Sequence, residues 1–163
     1  MTRGKMNFIR KNHRLSPYNY IGKKAFSITI AIHDRLSVFT TDDVVWEHIS
    51  VLKDVSGKYH FNILAYCFMP DHVHILAMGI RVDSSLTGFL KNYKQVTAFR
   101  YKQKTGRILW QKSFYDHILR KDEDLRGVIQ YILANPVRRG LVVSAGDYPY
   151  SGSFVYGRKV FAW

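Results

Sequence analysis

His72 and His74 stand one residue apart in the apolar run Phe68-Met69-Pro70-Asp71-His72-Val73-His74-Ile75-Leu76. In a strand, residues i and i+2 share a face. The two imidazoles therefore project side by side, while Val73 and Ile75 point the other way into packing. Two adjacent imidazoles on a rigid strand can take neighbouring positions on one divalent metal. A solvated histidine pair on an edge strand is the competing reading, because two histidines alone do not complete a metal site. A second group of chemically able residues lies between Asp122 and Asn135. There Leu125, Val128, Ile129, Ile132 and Leu133 follow the spacing i, i+3, i+4, i+7, i+8, a complete core-facing helical stripe. At ~100° per residue, Tyr131 falls roughly 130° from the centre of that stripe, with Asn135 one turn beyond it on the same flank. A tyrosine that the core does not need, with an amide one turn away, is compatible with a nucleophile and a metal ligand. An amphipathic boundary tyrosine is the alternative.

The elements that must hold these residues follow from periodicity and punctuation. Phe26, Ile28, Ile30 and Ile32 alternate with Ser27, Thr29 and Ala31, which predicts a strand near Ala25–Ile32. A helix opened by Thr41 or Asp42 runs to about Ser56, before Gly57, with Val44, Val45, Ile49 and Leu52 at helical spacing. A hairpin follows, about Tyr59–Phe68 and His72–Met78, turned by Met69-Pro70-Asp71. A long helix capped by Asp83 or Ser84 carries Leu86, Phe89, Leu90, Tyr93, Val96 and Phe99 and ends before Gly106. A fourth strand spans roughly Ile108–Leu119. The tyrosine helix, about Asp122–Asn135, starts on three acids and stops at Pro136 and Gly140. The order β-α-β-β-α-β is that of a ferredoxin-like split β-α-β sandwich, an α+β fold whose antiparallel sheet has its first and third strands in the centre. The histidine strand is the third.

A chain of 163 residues with 47% hydrophobic and 15% aromatic residues fits one domain, 1–163, with a basic N-terminal arm at 1–16 and a tail at 154–163. No apolar run approaches the ~20 residues of a membrane span, and the basic N-terminus lacks the apolar stretch of a signal peptide. The single Cys67 cannot form an internal disulfide. The cytoplasm is the expected address. The net charge of +13, from 25 basic and 12 acidic residues, is segregated. Met1 to Lys24 carries Arg10, Lys11, Arg14, Lys23 and Lys24 among its bases, and Leu86 to Lys112 carries Lys91, Lys94, Arg100, Lys102 and Lys104, with no acid in either segment. Tyr93, Phe99 and Tyr101 lie among them. Bases interleaved with aromatics fit a nucleic acid with unpaired, stackable bases better than a membrane surface. Trp110 reads as a packed strand aromatic, Asp71 as a turn residue, and His33 and His117 as ordinary polar histidines.

Three segments together resemble a known family. His72-Val73-His74 is similar to the His-hydrophobic-His motif of the HUH nucleases, and Tyr131 matches their single tyrosine. The surrounding Leu109-Trp110-Gln111-Lys112-Ser113-Phe114-Tyr115-Asp116 and Tyr131-Ile132-Leu133-Ala134-Asn135-Pro136-Val137-Arg138-Arg139-Gly140-Leu141-Val142 resemble the single-tyrosine transposases of bacterial insertion sequences, most of all their REP-associated branch. The resemblance runs from about Ala25 to Ser153. It implies cleavage and rejoining of single-stranded DNA, next to a hairpin, in a bacterial nucleoid. It implies Tyr131 as nucleophile through a 5′-phosphotyrosine, and Mg²⁺ or Mn²⁺ on His72, His74 and Asn135. Some family members carry glutamine where this chain has the shorter Asn135. Arg138 and Arg139 become candidates for gripping the cut strand. A non-catalytic nucleic-acid-binding module, a metal hydrolase with a further ligand, and a replication or conjugation nickase are the other readings. The short link Arg120-Lys121 predicts a site completed within one chain, as a monomer or within a homodimer.

Overall fold

The computed structural model describes residues 17–163. The basic arm at 1–16, with Arg10, Lys11 and Arg14, lies outside the described residues. Strand β1 (Ala25–Ala31) buries Phe26, Ile28 and Ile30 on one face, as the alternation requires. Helix α1 (Asp42–Lys58) follows. It passes through Gly57 rather than stopping before it, because one glycine weakens a helix by only ~1 kcal/mol relative to alanine. The chain turns instead at His60, which sits at φ 60, a left-handed conformation that histidine adopts more readily than most residues.

Strands β2 (Phe61–Met69) and β3 (His72–Gly79) form the expected hairpin, with Met69 opposite His72 across the Pro70-Asp71 turn. Helix α2 (Leu86–Thr105) ends on Gly106 at φ 71, as expected, but neither Asp83 nor Ser84 caps its start. Ser85 does, accepting from the Gly88 N–H at 3.1 Å. Ser84 is fully buried with its hydroxyl committed elsewhere, donating to the His60 carbonyl at 2.8 Å. The fourth strand is also shorter than its sequence pattern. Only β4 (Tyr115–Ile118) is regular, and Trp110 contributes a single bridge to Ile32. The Trp110 side chain turns under α2, where its indole N–H donates to Thr97 Oγ1 at 2.9 Å, and this draws the segment away from a continuous ladder.

Helix α3 (Leu125–Leu133) is capped by Asp124, whose carboxylate accepts from the Arg126 N–H. Pro136 ends α3 yet does not end helical backbone. It falls in the first turn of α4 (Asn135–Arg138), where its missing N–H costs nothing. Strand β5 (Ser151–Gly152), which the sequence pattern does not show, adds to the β2 edge.

The sheet order is β4-β1-β3-β2-β5 with every neighbour antiparallel. β1 and β2 thus run parallel with β3 between them, and β3 and β4 run parallel with β1 between them. The histidine strand is central, as expected for this α+β fold. Val73, Ile75 and Ala77 face a core shared with α1 and α2. On the opposite face Leu64, Cys67, Met69 and Leu76 pack against Ile129, Ile132 and Leu133 of α3. Each fully buried Val, Ile, Leu or Met among them contributes roughly 1.5–3 kcal/mol. Residues 154–163 fold back against α3: Val160 is buried in this second core, and the Trp163 carbonyl accepts from Gln130 Nε2 at 3.1 Å. Among the described residues no helix is long and apolar enough to cross a membrane.

Candidate active site

His72 and His74 project from β3 toward the α3 face, and their Nε2 atoms stand 2.9 Å apart. The rings meet edge to face, with centroids 4.6 Å apart and planes at 89°. Each ring is held from behind. Asp71 Oδ1 lies 2.6 Å from His72 Nδ1, and Thr29 Oγ1 lies 2.9 Å from His74 Nδ1. Thr29 is there because it is the cross-strand partner of His74 in the β1–β3 register. Arg35 pairs with the other Asp71 oxygen at 3.1 Å. When both Nδ1 atoms donate to these oxygens, both Nε2 lone pairs point at one another. That arrangement repels unless a proton or a cation lies between them.

At 2.9 Å the two Nε2 atoms share one hydrogen bond when one of them carries a proton, and with both unprotonated they could take neighbouring positions on one cation. Burial pushes His72 below the ordinary histidine value, against the pull of the Asp71 carboxylate. His74 is pushed down to about 3, by burial first and then by positive charge on His72, Arg138, Arg139 and Arg35. Neutral imidazoles are the form a metal binds. Asp71 itself is held below its usual range. Burial works to raise it, but the hydrogen bond from His72 and the charges of His72 and Arg35 outweigh that effect.

Tyr131 lies on the outer flank of α3 and is 48% exposed, while Ile129, Ile132 and Leu133 are buried. The Arg138 guanidinium stacks 3.9 Å from the Tyr131 ring centroid. Its Nη2 donates to the Tyr131 carbonyl at 2.9 Å and to Asn135 Oδ1 at 2.8 Å. Asn135 Nδ2 in turn donates to the Ile132 carbonyl at 3.2 Å, so both ends of this buried amide are engaged. Among the described residues no hydrogen bond joins Tyr131 or Asn135 to either histidine. The four residues thus form two pairs, one on β3 and one on α3–α4, with Arg138 bridging the second and its charge felt at His74. Arg139 lines a cleft of about 260 Å³ together with Ser37, Met69, Pro70, Asp71, His72 and Leu141.

The remaining bases divide between the faces. Arg138 and Arg139 lie on the histidine side. Lys91, Lys94, Arg100, Lys102 and Lys104 belong to α2, in the layer behind the sheet. Arg100 and Lys104 share Glu47 of α1 at 3.5 and 2.8 Å. Lys94 Nζ donates to the Gln111 carbonyl at 2.9 Å, and Lys24 Nζ approaches the Asn19 carbonyl at 3.5 Å. Lys91, Lys102 and Lys23 are exposed. Trp110 is buried among Tyr93, Phe39 and His48, as its strand pattern indicates. His117 pairs with Glu123, and His33 with Asp34. Thr29 and the orienting contact of Asp71 escape a reading of sequence. Asp71 sits beside His72 and was open to notice, whereas nothing local marks Thr29.

Comparison with known proteins identifies the family. Residues 23–135 match the family model described as transposase, IS200 like. A Haemophilus influenzae protein named as a REP-associated tyrosine transposase is 33% identical, over 77% of this chain and 77% of its own. The REP-associated tyrosine transposase of Escherichia coli is 26% identical over 81% of this chain and 78% of its own. The fold matches a solved REP-associated tyrosine transposase bound to a REP hairpin, with TM-score 0.70 at 24% identity, over 86% of this chain and 81% of that one. With its paired histidines on a central strand and its tyrosine on a packed C-terminal helix, the chain belongs to the IS200-like transposases, enzymes that cut and rejoin DNA, and within them to the REP-associated tyrosine type.

Proposed function

We propose that this transposase cuts and rejoins single-stranded DNA beside a hairpin, with Tyr131 as nucleophile and Mg²⁺ or Mn²⁺ held by His72, His74 and Asn135. The facing Nε2 atoms, 2.9 Å apart and braced by Asp71 and Thr29, are the observation that carries this reading. A bound cation would neutralise and polarise the scissile phosphate. Tyr131 Oη attacks phosphorus, the bond to the 3′ oxygen breaks, and that oxygen leaves as a hydroxyl after taking a proton. The 5′ phosphate stays on the tyrosine. A phenol ionises near pKa ~10, far below an alcohol, so it is the better leaving group. A second 3′ hydroxyl can therefore displace it, restoring the Tyr131 hydroxyl without ATP.

Arg138 must change partners during this cycle. Asn135 Oδ1 cannot fully serve a guanidinium and a cation at once, and a DNA phosphate is a strong competitor for the guanidinium fork. Strand entry would draw Arg138 onto phosphate and free the amide, while Arg139 meets a neighbouring phosphate beside His72. The hairpin bound by the solved relative supports a hairpin partner here. Packing of α3 on its own sheet supports a site completed within one chain.

The decisive experiment follows the covalent bond. With single-stranded substrate and Mg²⁺ or Mn²⁺, wild-type protein should form an SDS-resistant adduct carrying the 5′ side of the cut. Tyr131→Phe should form none while still binding DNA, and Tyr115→Phe should react normally. Cutting by Tyr131→Phe that releases a free 5′ phosphate would replace this reading with metal-assisted hydrolysis.

A further inference from the structure

Behind the sheet, α2 and the segment after it line an open surface pocket of about 340 Å³. Its floor is apolar: Ala98, Leu109 and the edge of Trp110. The Trp110 ring is fixed by its hydrogen bond to Thr97 and its contact with Tyr93, so the floor is rigid. Ile108 forms one wall and is 62% exposed, a large aliphatic side chain left in water at the mouth. Lys102, Arg107 and Lys112 stand around the rim, and no acidic residue lines the pocket. The nearby acid on α1, Glu47, is committed to Arg100 and Lys104.

An apolar floor with a cationic rim matches one nucleotide unit. A base is flat and apolar on its faces, and each of its neighbours along the strand carries an anionic phosphate. Duplex DNA keeps its bases stacked inside, so only an unpaired base can enter. The pocket also stands within reach of the histidines. Ile32 bridges to Trp110 on one side of the β1 end, and Ala31 pairs with His72 on the other. The Trp110 and His72 backbones are therefore about two strand spacings apart across the sheet, ~10 Å, and the two sites lie farther apart than that because they occupy opposite faces of its end.

We propose that this pocket is a second DNA subsite, which takes an unpaired base while Lys102, Arg107 and Lys112 hold the flanking phosphates. The proposal rests on the reading that the protein binds single-stranded DNA. It assigns the α2 layer to holding DNA and the α3 face to cutting it.

The test separates bases from phosphates. Two fluorescent probes of equal length are used, a thymidine oligonucleotide and a strand of abasic sites with the same backbone. Burying one base against the apolar lining contributes on the order of fivefold in affinity, so wild-type protein should prefer the thymidine strand by about that factor. Ile108→Ala, which strips the wall, and Ala98→Leu, which fills the floor, should weaken thymidine binding and leave abasic binding within twofold. Thermal melting checks that both variants remain folded. Lys102→Gln should weaken both probes alike. If Ile108→Ala and Ala98→Leu changed neither probe, or changed both equally, the base pocket would be overturned in favour of a plain polyanion surface. Wild-type protein that bound neither probe would overturn the DNA reading and the pocket with it. Normal thymidine preference without a covalent adduct would overturn the Tyr131 chemistry and leave the pocket standing.

Discussion

The rear nitrogens of the two histidines decide what their front nitrogens can do. Asp71 and Thr29 fix both rings, and groups that orient metal-bound histidines typically contribute 10–100-fold to metal affinity. Asp71→Ala and Thr29→Val should each weaken Mn²⁺ binding, Asp71→Ala on the order of tenfold or more, as measured by electron paramagnetic resonance without DNA. Unchanged affinity in both would show that the rings need no brace. Arg138 gives a second prediction at this scale. Arg138→Lys keeps the charge but loses the planar guanidinium whose Nη2 reaches Asn135 and the Tyr131 carbonyl together. Mn²⁺ affinity should rise severalfold, and adding Asn135→Ala should erase the gain. A gain that survives Asn135→Ala would exclude the amide as the beneficiary.

Among the elements, α2 shows how closely spaced serines divide the work. Ser85→Ala should cost about 1 kcal/mol through the lost cap. Ser84→Ala should cost a similar amount, about 1–2 kcal/mol, because its buried hydroxyl joins the His60 carbonyl to the Arg81 N–H. Asp83→Ala should change stability by less than about 0.5 kcal/mol, since its pair with Arg81 is exposed. Urea unfolding of the three variants ranks them, and a large loss in Asp83→Ala alone would restore it as the cap. Helix α3 illustrates the opposite balance. Its Ile129, Ile132 and Leu133 stripe fastens the helix to β2 and β3, which leaves Tyr131 on the outer flank under the Arg138 guanidinium.

Across the whole molecule, neutral buried histidines set the response to acid. Burial pushes His48 down, against its bond to the Val44 carbonyl, and pushes His74 to about 3. His48 is packed among Phe39, Phe68 and Trp110, with its Nε2 buried and unpartnered. A folded value below the unfolded ~6.5 means that the unfolded chain binds more protons. Stability is therefore fully present above pH ~6.5 and is lost as pH falls from there toward the folded values. Below that point each such histidine costs up to about 1.4 kcal/mol per pH unit while it stays neutral. Metal-free protein should show a lower urea midpoint at pH 5 than at pH 7.5, and His48→Leu should flatten the slope. An acid response unchanged in His48→Leu would assign the whole effect to His74 and the carboxylates.

Local sequence carried much of this protein. Alternation in 25–32, the i, i+2 histidines and the stripe from Leu125 to Leu133 fix faces, and a face is a property of a few consecutive residues with a fixed period. The histidine strand, its central place and the outward Tyr131 were all legible on that ground. The cap of α2, the shortened β4 and the turn at His60 were not, because each was settled by what a neighbouring segment buried or bonded. The site divides in the same way. Sequence offers His72, His74, Tyr131 and Asn135 as candidates, since their types and spacing are local. Tertiary structure alone brings Thr29 behind His74 across 45 residues of chain and places Arg138 between Tyr131 and Asn135. It also sends the α2 bases behind the sheet. Register and layer come from long-range packing, and no periodicity within one segment records which distant segment will lie beside it.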